Sequence, residues 1–342
     1  MTAQAYPVTL PISFVTDLIW GLRSQPEAVA TCIEKSGISM ELIEADEGRV
    51  TVEQYQLLYQ SMVSTFNDEL PGLFSRRVPR GNLKFLCLAL LSSRNLLVAM
   101  RRYAQYLPMT QDDLVFEVTL EDFAIKLALT ERRAVRGVAR LAHELLVKLA
   151  HGTFSWLIGK NLQVEKVCFA FAPPAHVSEY VYLFPGPVHF DQNETALYFN
   201  LSLTREPVRR DIDSLRTFLY GSPGQWLHVL DSALFLSHKV RDHLKSNLDR
   251  DVQVAEAARV LHMSTRSLVR HLAKEGTTFK SLKNDLRRDT AIYHLVRGHL
   301  PISRIADDLG FEDQSAFSRA FKRWTGVTPF HYKTKLQARD MT

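Results

Sequence analysis

The spacing of apolar positions changes character along the chain, and each change marks an element or a region. Over about residues 8–150 the period is mostly helical. Phe14, Leu18, Trp20 and Leu22 open one amphipathic helix. Val52 to Phe66 predicts another, with Tyr55, Leu58, Tyr59, Met62 and Val63 on its apolar face. Leu83–Leu91 and Leu96–Leu107 predict two more, parted by the polar break Ser92-Ser93-Arg94-Asn95. The period then falls to two residues. Leu114–Val118 and Phe123–Leu129 alternate like the strands of a hairpin. Residues 131–150 return to helical spacing, with Val135, Val138, Ala142, Leu145, Leu146 and Leu149 on one stripe. Val167–Phe171, Tyr180–Phe184 and Ala196–Leu201 predict strands, with proline pairs and Gly186-Pro187 as turns.

A new region follows the turn Gly221-Ser222-Pro223-Gly224, where Lys and Arg become frequent. The boundary is expected near residue 232, giving a body of 1–231 and a tail domain of 232–342. The tail carries one pattern twice. Ala258-x-x-Leu261-His262-Met263-Ser264 leads to Leu268, Arg270 and Leu272, and closes at Gly276-Thr277-Thr278. Ala306-x-x-Leu309-Gly310-Phe311-Glu312 leads to Phe317, Arg319 and Phe321, and closes at Gly326-Val327-Thr328. The offset is 48 residues up to the turn, then 49, then 50 at the glycines. Small insertions therefore fall at loops and helix ends.

Each copy has the anatomy of a helix-turn-helix, a short helix crossing closely under a second one through a small alanine. Ser264 stands where an N-cap belongs, and Gly276 where a helix ends. Residues 279–297 predict one connecting helix that buries Leu282, Leu286, Ala291 and Leu295. About 17 ordered residues at 1.5 Å per residue span roughly 25 Å, while major-groove segments on one face of DNA recur about every 34 Å. The fold class is therefore α+β and mostly helical: an α+β body followed by an all-α domain of two helix-turn-helix units joined by a linker helix.

Charge sharpens this picture. Of 342 residues, 240–342 hold 19 Lys and Arg against 12 Asp and Glu, a balance of +7, while the rest carries −2. A basic tail on a near-neutral body points to a polyanion partner for the tail alone. Arg266, Arg270 and Arg319 are expected to make bidentate contacts to guanine and Gln314 to adenine, with Val269 against a thymine methyl and Ser315 beside them. Ser264, Thr265, Lys274, Ser318, Lys322 and Arg323 are better placed for phosphates, which position the protein without reading sequence.

Other chemistry finds little purchase. Cys32, Cys87 and Cys168 are widely spaced in apolar stretches, so reduced, buried thiols are expected rather than disulfides or a zinc site. The N-terminus makes a poor signal peptide, and the purest apolar run, Phe85–Leu91, is far too short to span a bilayer. A soluble, cytoplasmic protein with no membrane partner follows. Gly152 and Gly159-Lys160 mimic a phosphate loop only superficially, because Asn161 replaces the Ser or Thr it needs. GxGxxG, HExxH and GxSxG are absent. Neither an enzyme, nor a cofactor, nor a metal site is expected.

Residues 307–329, from Asp307-Asp308-Leu309-Gly310-Phe311 through Trp324-Thr325-Gly326-Val327-Thr328-Pro329, closely resemble the second helix-turn-helix of the AraC/XylS family of bacterial transcription regulators. Met263–Leu272 with Glu275-Gly276-Thr277-Thr278-Phe279 is similar to the first. His262 departs from the family, which often has glycine in that turn. Histidine tolerates the left-handed region better than most residues, so the turn is expected to survive. The body is similar to the helical, "arabinose-binding-like" effector domain of regulators related to the ornithine and quorum-sensing regulators of pseudomonads. That likeness rests on Cys168–Pro174, Leu183–Phe190 and Glu206–Asp211. The resemblance implies a sequence-specific regulator of double-stranded promoter DNA, more often an activator, that contacts RNA polymerase. It also implies a body that dimerises and senses a small molecule or a partner. The 131–150 helix is the first candidate dimer surface, although its stripe reads rather as core. A constitutive DNA-binding regulator whose body only mediates protein contacts fits the same residues.

Overall fold

The computed structural model describes residues 9–45, 48–184, 186–224 and 236–337. It divides into two compact units. One comprises Met1–Val15, Ile33–Tyr55 and Ser232–Thr342, the other Thr16–Cys32 and Gln56–Asp231. The sequence boundary near 232 falls within 225–235, and Pro185 of the Leu183–Phe190 motif stands alone; both lie outside the described residues.

In chain order the first elements are β1 (Thr9–Pro11), α1 (Ile12–Trp20), α2 (Pro26–Lys35), α3 (Met40–Ile43), β2 (Arg49–Thr51) and α4 (Val52–Phe66). Then come α5 (Asn82–Leu91), α6 (Leu96–Thr110), β3 (Leu114–Leu120), β4 (Ala124–Glu131) and α7 (Ala139–Ile158). The Val52–Phe66 helix appears as the periodicity predicts, with Tyr55, Leu58, Tyr59 and Met62 buried. Trp20 differs from its expected inward role. It is 53% exposed, and the Arg23 guanidinium lies 4.5 Å from its ring.

The second unit is built on a five-stranded sheet, completed by β5 (Lys166–Cys168), β6 (Val188–His189) and β7 (Thr195–Asn200) in the order β3-β4-β7-β5-β6. The hairpin pairs Leu114 with Glu131 and Phe116 with Leu129, and β4 pairs Leu127 with Leu197 of β7. The β5–β6 pair is parallel, and β3–β4, β4–β7 and β5–β7 are antiparallel. Tyr103 of α6 wedges edge-on between Phe116 of β3 and Phe154 of α7 at 5.6 and 5.1 Å, closing helices over the sheet.

Two expectations are corrected here. Tyr180–Phe184 is not a strand: Tyr180–Leu183 is a single helical turn, α8, closed by Phe184 N–H on Tyr180 C=O at 2.9 Å. One turn brings Tyr180, Leu183 and Phe184 together into the core, where a strand would have separated them, and the Tyr180 hydroxyl donates to the Glu144 carboxylate. The 131–150 helix starts at Ala139 instead, leaving Val135 and Val138 outside, and runs on to Ile158, where Gly159 caps it at φ +70°. It is buried almost all round, including Glu144, Lys148 and His151, and so offers no free stripe for a partner. Gly152 lies inside this helix rather than in a loop. Cys32, Cys87 and Cys168 are buried and unbridged.

After α9 (Ile212–Tyr220) the chain enters the other unit with α10 (Leu236–Lys245), α11 (Val254–Val260), α12 (Thr265–Lys274), α13 (Phe279–Arg297), α14 (Ile302–Asp308), α15 (Gln314–Thr325) and α16 (Pro329–Gln337). In that unit β1 and β2 pair antiparallel, Thr9 with Thr51 and Pro11 with Arg49. Among the described residues no helix is long and apolar enough to cross a membrane.

Candidate nucleic-acid interface

The two helix-turn-helix units repeat each other bond for bond. In the first, His262 N–H reaches Arg259 C=O at 3.1 Å and Met263 N–H reaches Ala258 C=O at 2.8 Å. In the second, Gly310 N–H reaches Asp307 C=O at 3.0 Å and Phe311 N–H reaches Ala306 C=O at 3.1 Å. Both turns need a left-handed residue, His262 at φ +55° and Gly310 at φ +68°. The alanines at the crossings, Ala258 and Ala306, are buried to 1% and 0%, and Leu268, Leu272, Phe317 and Phe321 fill the cores beneath.

The second helix of each unit starts from a side-chain cap. Ser264 Oγ accepts from Ser267 N–H at 3.2 Å, and Asp313 Oδ1 from Ala316 N–H at 2.6 Å. The Ser264 hydroxyl assigned to phosphate thus already serves its own helix. Thr265, Arg266, Val269, Arg270 and Lys274 are exposed along α12, and Gln314, Ser315, Arg319, Lys322 and Arg323 along α15, while Ser318 is half-buried. Arg266 and Arg270 stand four apart and share a stripe, as do Ser315 and Arg319 at the equivalent places of the second unit. Among the described residues none of these arginines and lysines has an ion-pair partner. A cation left unneutralised on an outward stripe suits a polyanion.

Position in the unit comes from α13, capped by Thr278 at its start and by Gly298 at φ +68° at its end. Leu282, Leu286, Ala291 and Leu295 are buried as the pattern predicts. Polar ties the sequence reading did not find fix both heads to it. Lys283 Nζ donates to Asp251 Oδ1 at 2.5 Å and to Val252 C=O at 2.7 Å, at the entry to the first head. Arg287 reaches Asp251 at 3.5 Å and the Gly310 carbonyl at 3.4 Å, and lies 4.9 Å from the Phe311 ring in the turn of the second. A Cβ on Gly310 would meet Arg250 N at 2.8 Å, so the second turn also presses on the strand of chain entering the first head.

A buried carboxylate ties down the other side of α13. Asp289 is 2% exposed and accepts from Thr9 Oγ1 at 2.6 Å and from Arg241 and Arg288 at 3.1 Å, with Arg49 Nε at 4.0 Å. Burial pushes its carboxyl up, but the three guanidinium groups and the threonine hydroxyl win and hold it below the usual carboxylate range. Tyr332 donates to the Arg49 carbonyl at 2.6 Å, so β1, β2, α10, α13 and α16 meet at one point. No local sequence signal marks this cluster, since Thr9 and Asp289 lie 280 positions apart.

The chain is similar in sequence to known transcription regulators over both of its parts. Residues 28–208 match the family described as the arabinose-binding domain of AraC transcription regulators, N-terminal, and 257–335 match a helix-turn-helix domain. The ornithine utilization regulator of Pseudomonas aeruginosa is 28% identical over 335 residues, covering 94% of this chain and 98% of its own. The regulator VqsM of the same organism is 32% identical over 98 residues, 29% of this chain and 30% of its own. The transcriptional activator CfaD of Escherichia coli is 30% identical over 105 residues, 31% of this chain and 40% of its own.

Proposed function

The chain belongs to the AraC family of transcription regulators, and from that premise we propose how its parts divide the work. It is a DNA-binding regulator. The proposed division gives 232–342 the reading of DNA and 1–231 the sensing of a small-molecule effector and dimerisation. The observation that carries it is the pair of capped helices α12 and α15, each with an unneutralised basic stripe, tied to one connecting helix. In this reading Arg266, Val269, Arg270, Gln314, Ser315 and Arg319 face base edges. Thr265, Lys274, Ser318, Lys322 and Arg323, with Ser264, face phosphates.

Activation is part of the proposal, supported by the name of the transcriptional activator CfaD, and contact with RNA polymerase is the route proposed for it. The protein acts in the cytoplasm and carries out no catalytic step, in keeping with the regulators it resembles. The test is selection from random duplexes by the purified chain, followed by mapping of bound DNA in the genome. Enrichment of one motif upstream of genes whose transcription falls on deletion supports the reading. Equal retention of all duplexes contradicts it.

A further inference from the structure

The second unit contains a cavity of about 390 Å³, within the range of small-molecule sites. Its walls come from Tyr59 of α4, Leu70 and Val78 of the loop before α5, Leu86 of α5, Leu149 of α7 and Leu219 of α9. Between Leu141 and Ser155 of α7, Leu149 is the one residue not buried, and it is among those that line this cavity. The most buried helix of the unit thus reaches the cavity wall at a single apolar side chain.

The cavity is preorganised. Asp68 accepts from Leu70, Gly72 and Val78 N–H at 3.0–3.1 Å, holding the loop in shape. Glu69 spends one oxygen on Gly81 N–H and the other on Leu83 N–H, both at 2.7 Å. On another side Gln60 Nε2 donates to the Ser222 carbonyl at 2.9 Å. Glu69 therefore serves the start of α5, where an acid belongs.

Two cations at the rim make no such bonds. Arg80 and Lys84 line the cavity, are exposed, and among the described residues their side chains have no hydrogen-bond or ion-pair partner. Against the single charge of Glu69 they leave the rim net positive. We propose that this cavity is the effector site and that it takes an organic acid with an apolar body, the carboxylate meeting Arg80 and Lys84 and the body lying against Leu149 and Tyr59. This rests on the proposal that the body senses a small molecule, and it names the place and the chemistry. A cationic amino acid such as ornithine would set its side-chain ammonium against the same two cations or into the apolar wall, and is excluded from this site.

The test is titration calorimetry on the full chain with octanoate and 4-phenylbutyrate, each beside the alcohol of the same skeleton. Each acid is expected to bind about tenfold tighter than its alcohol, and the double variant R80Q/K84Q to erase that preference. Both positions are exposed, so this variant keeps its fold; Leu149→Trp, which pushes a bulkier ring from the apolar wall into the cavity, should weaken binding of acid and alcohol alike. Comparison of the two acids decides between an acyl and an aryl body. Equal binding of acid and alcohol, or a preference that survives R80Q/K84Q, overturns the proposal. A sugar or amino acid that binds the parent chain and both variants equally refutes this site while leaving effector sensing intact. Failure of every compound to bind refutes both.

Discussion

His262 and Gly310 solve the same backbone problem with different residues. The first turn has room for a side chain, while the second abuts the backbone of Asp249 and Arg250 and admits only glycine. The sequence shows the difference but not its cause, which lies in a contact 60 positions away. The outward residues were legible because a helical stripe can be counted; their partners were not. Arg319→Ala is expected to cost about 1–3 kcal/mol on the selected site and to relax preference at one base pair. Equal loss on random DNA would assign it to phosphate. Lys322→Ala should weaken every duplex alike and lower the log–log salt slope by about one, so an unchanged slope would remove that assignment. Lys148 is a residue no pattern distinguishes from a surface lysine. It is fully enclosed on α7, donates to the Leu183 carbonyl, and burial lowers its pKa from 10.5 to about 7. Between those values the unfolded chain holds a proton that the folded chain lacks, so stability gains with rising pH across that window. Lys148→Met should flatten that gain in urea unfolding between about pH 7 and pH 9. The same gain in both chains would show that Lys148 is hydrated.

At the scale of elements, side-chain periodicity carries most of the fold and fails at one five-residue run. The helices over 52–66, 82–91 and 279–297 and the hairpin of β3 and β4 follow from side-chain spacing alone. Tyr180–Phe184 misleads because five residues cannot separate a strand from one helical turn, and the choice falls to the Tyr180 hydroxyl and its Glu144 partner. β1 and β2 are three residues each, too short to register, yet they bring Thr9 and Arg49 to the connecting helix α13. Asp289→Asn leaves three guanidinium groups around a neutral amide and should cost about 3–5 kcal/mol in urea unfolding. Glu53→Gln, which breaks the exposed Glu53–Arg297 pair, should cost under about 1 kcal/mol. Because the Asp289 carboxyl is held low, its contribution persists above the ordinary carboxylate range and disappears only as pH falls through its lowered value. Equal losses in the two variants would show that the buried cluster is incidental.

For the molecule as a whole, composition already separated a basic end from a near-neutral body, and the duplicated pattern said what the basic end is for. What composition could not show is how chain and unit diverge: residues 9–15, 33–45 and 48–55 belong with the helix-turn-helix pair, and long-range bonds such as Thr9 to Asp289 and Tyr332 to Arg49 tie them to it. The consequence is two heads on a stiff spacer. α13 has 19 residues, roughly 28 Å of helix, with Lys283 and Arg287 pinning it to both heads. The direct test is affinity for the selected duplex after inserting base pairs between the two contacted segments. A rigid pair loses one head's contacts on insertion of about five base pairs, half a helical turn, and does not recover them with about ten, because the spacer cannot lengthen. Binding that is unaffected by the insertions, or restored by the full turn, would contradict the fixed spacing.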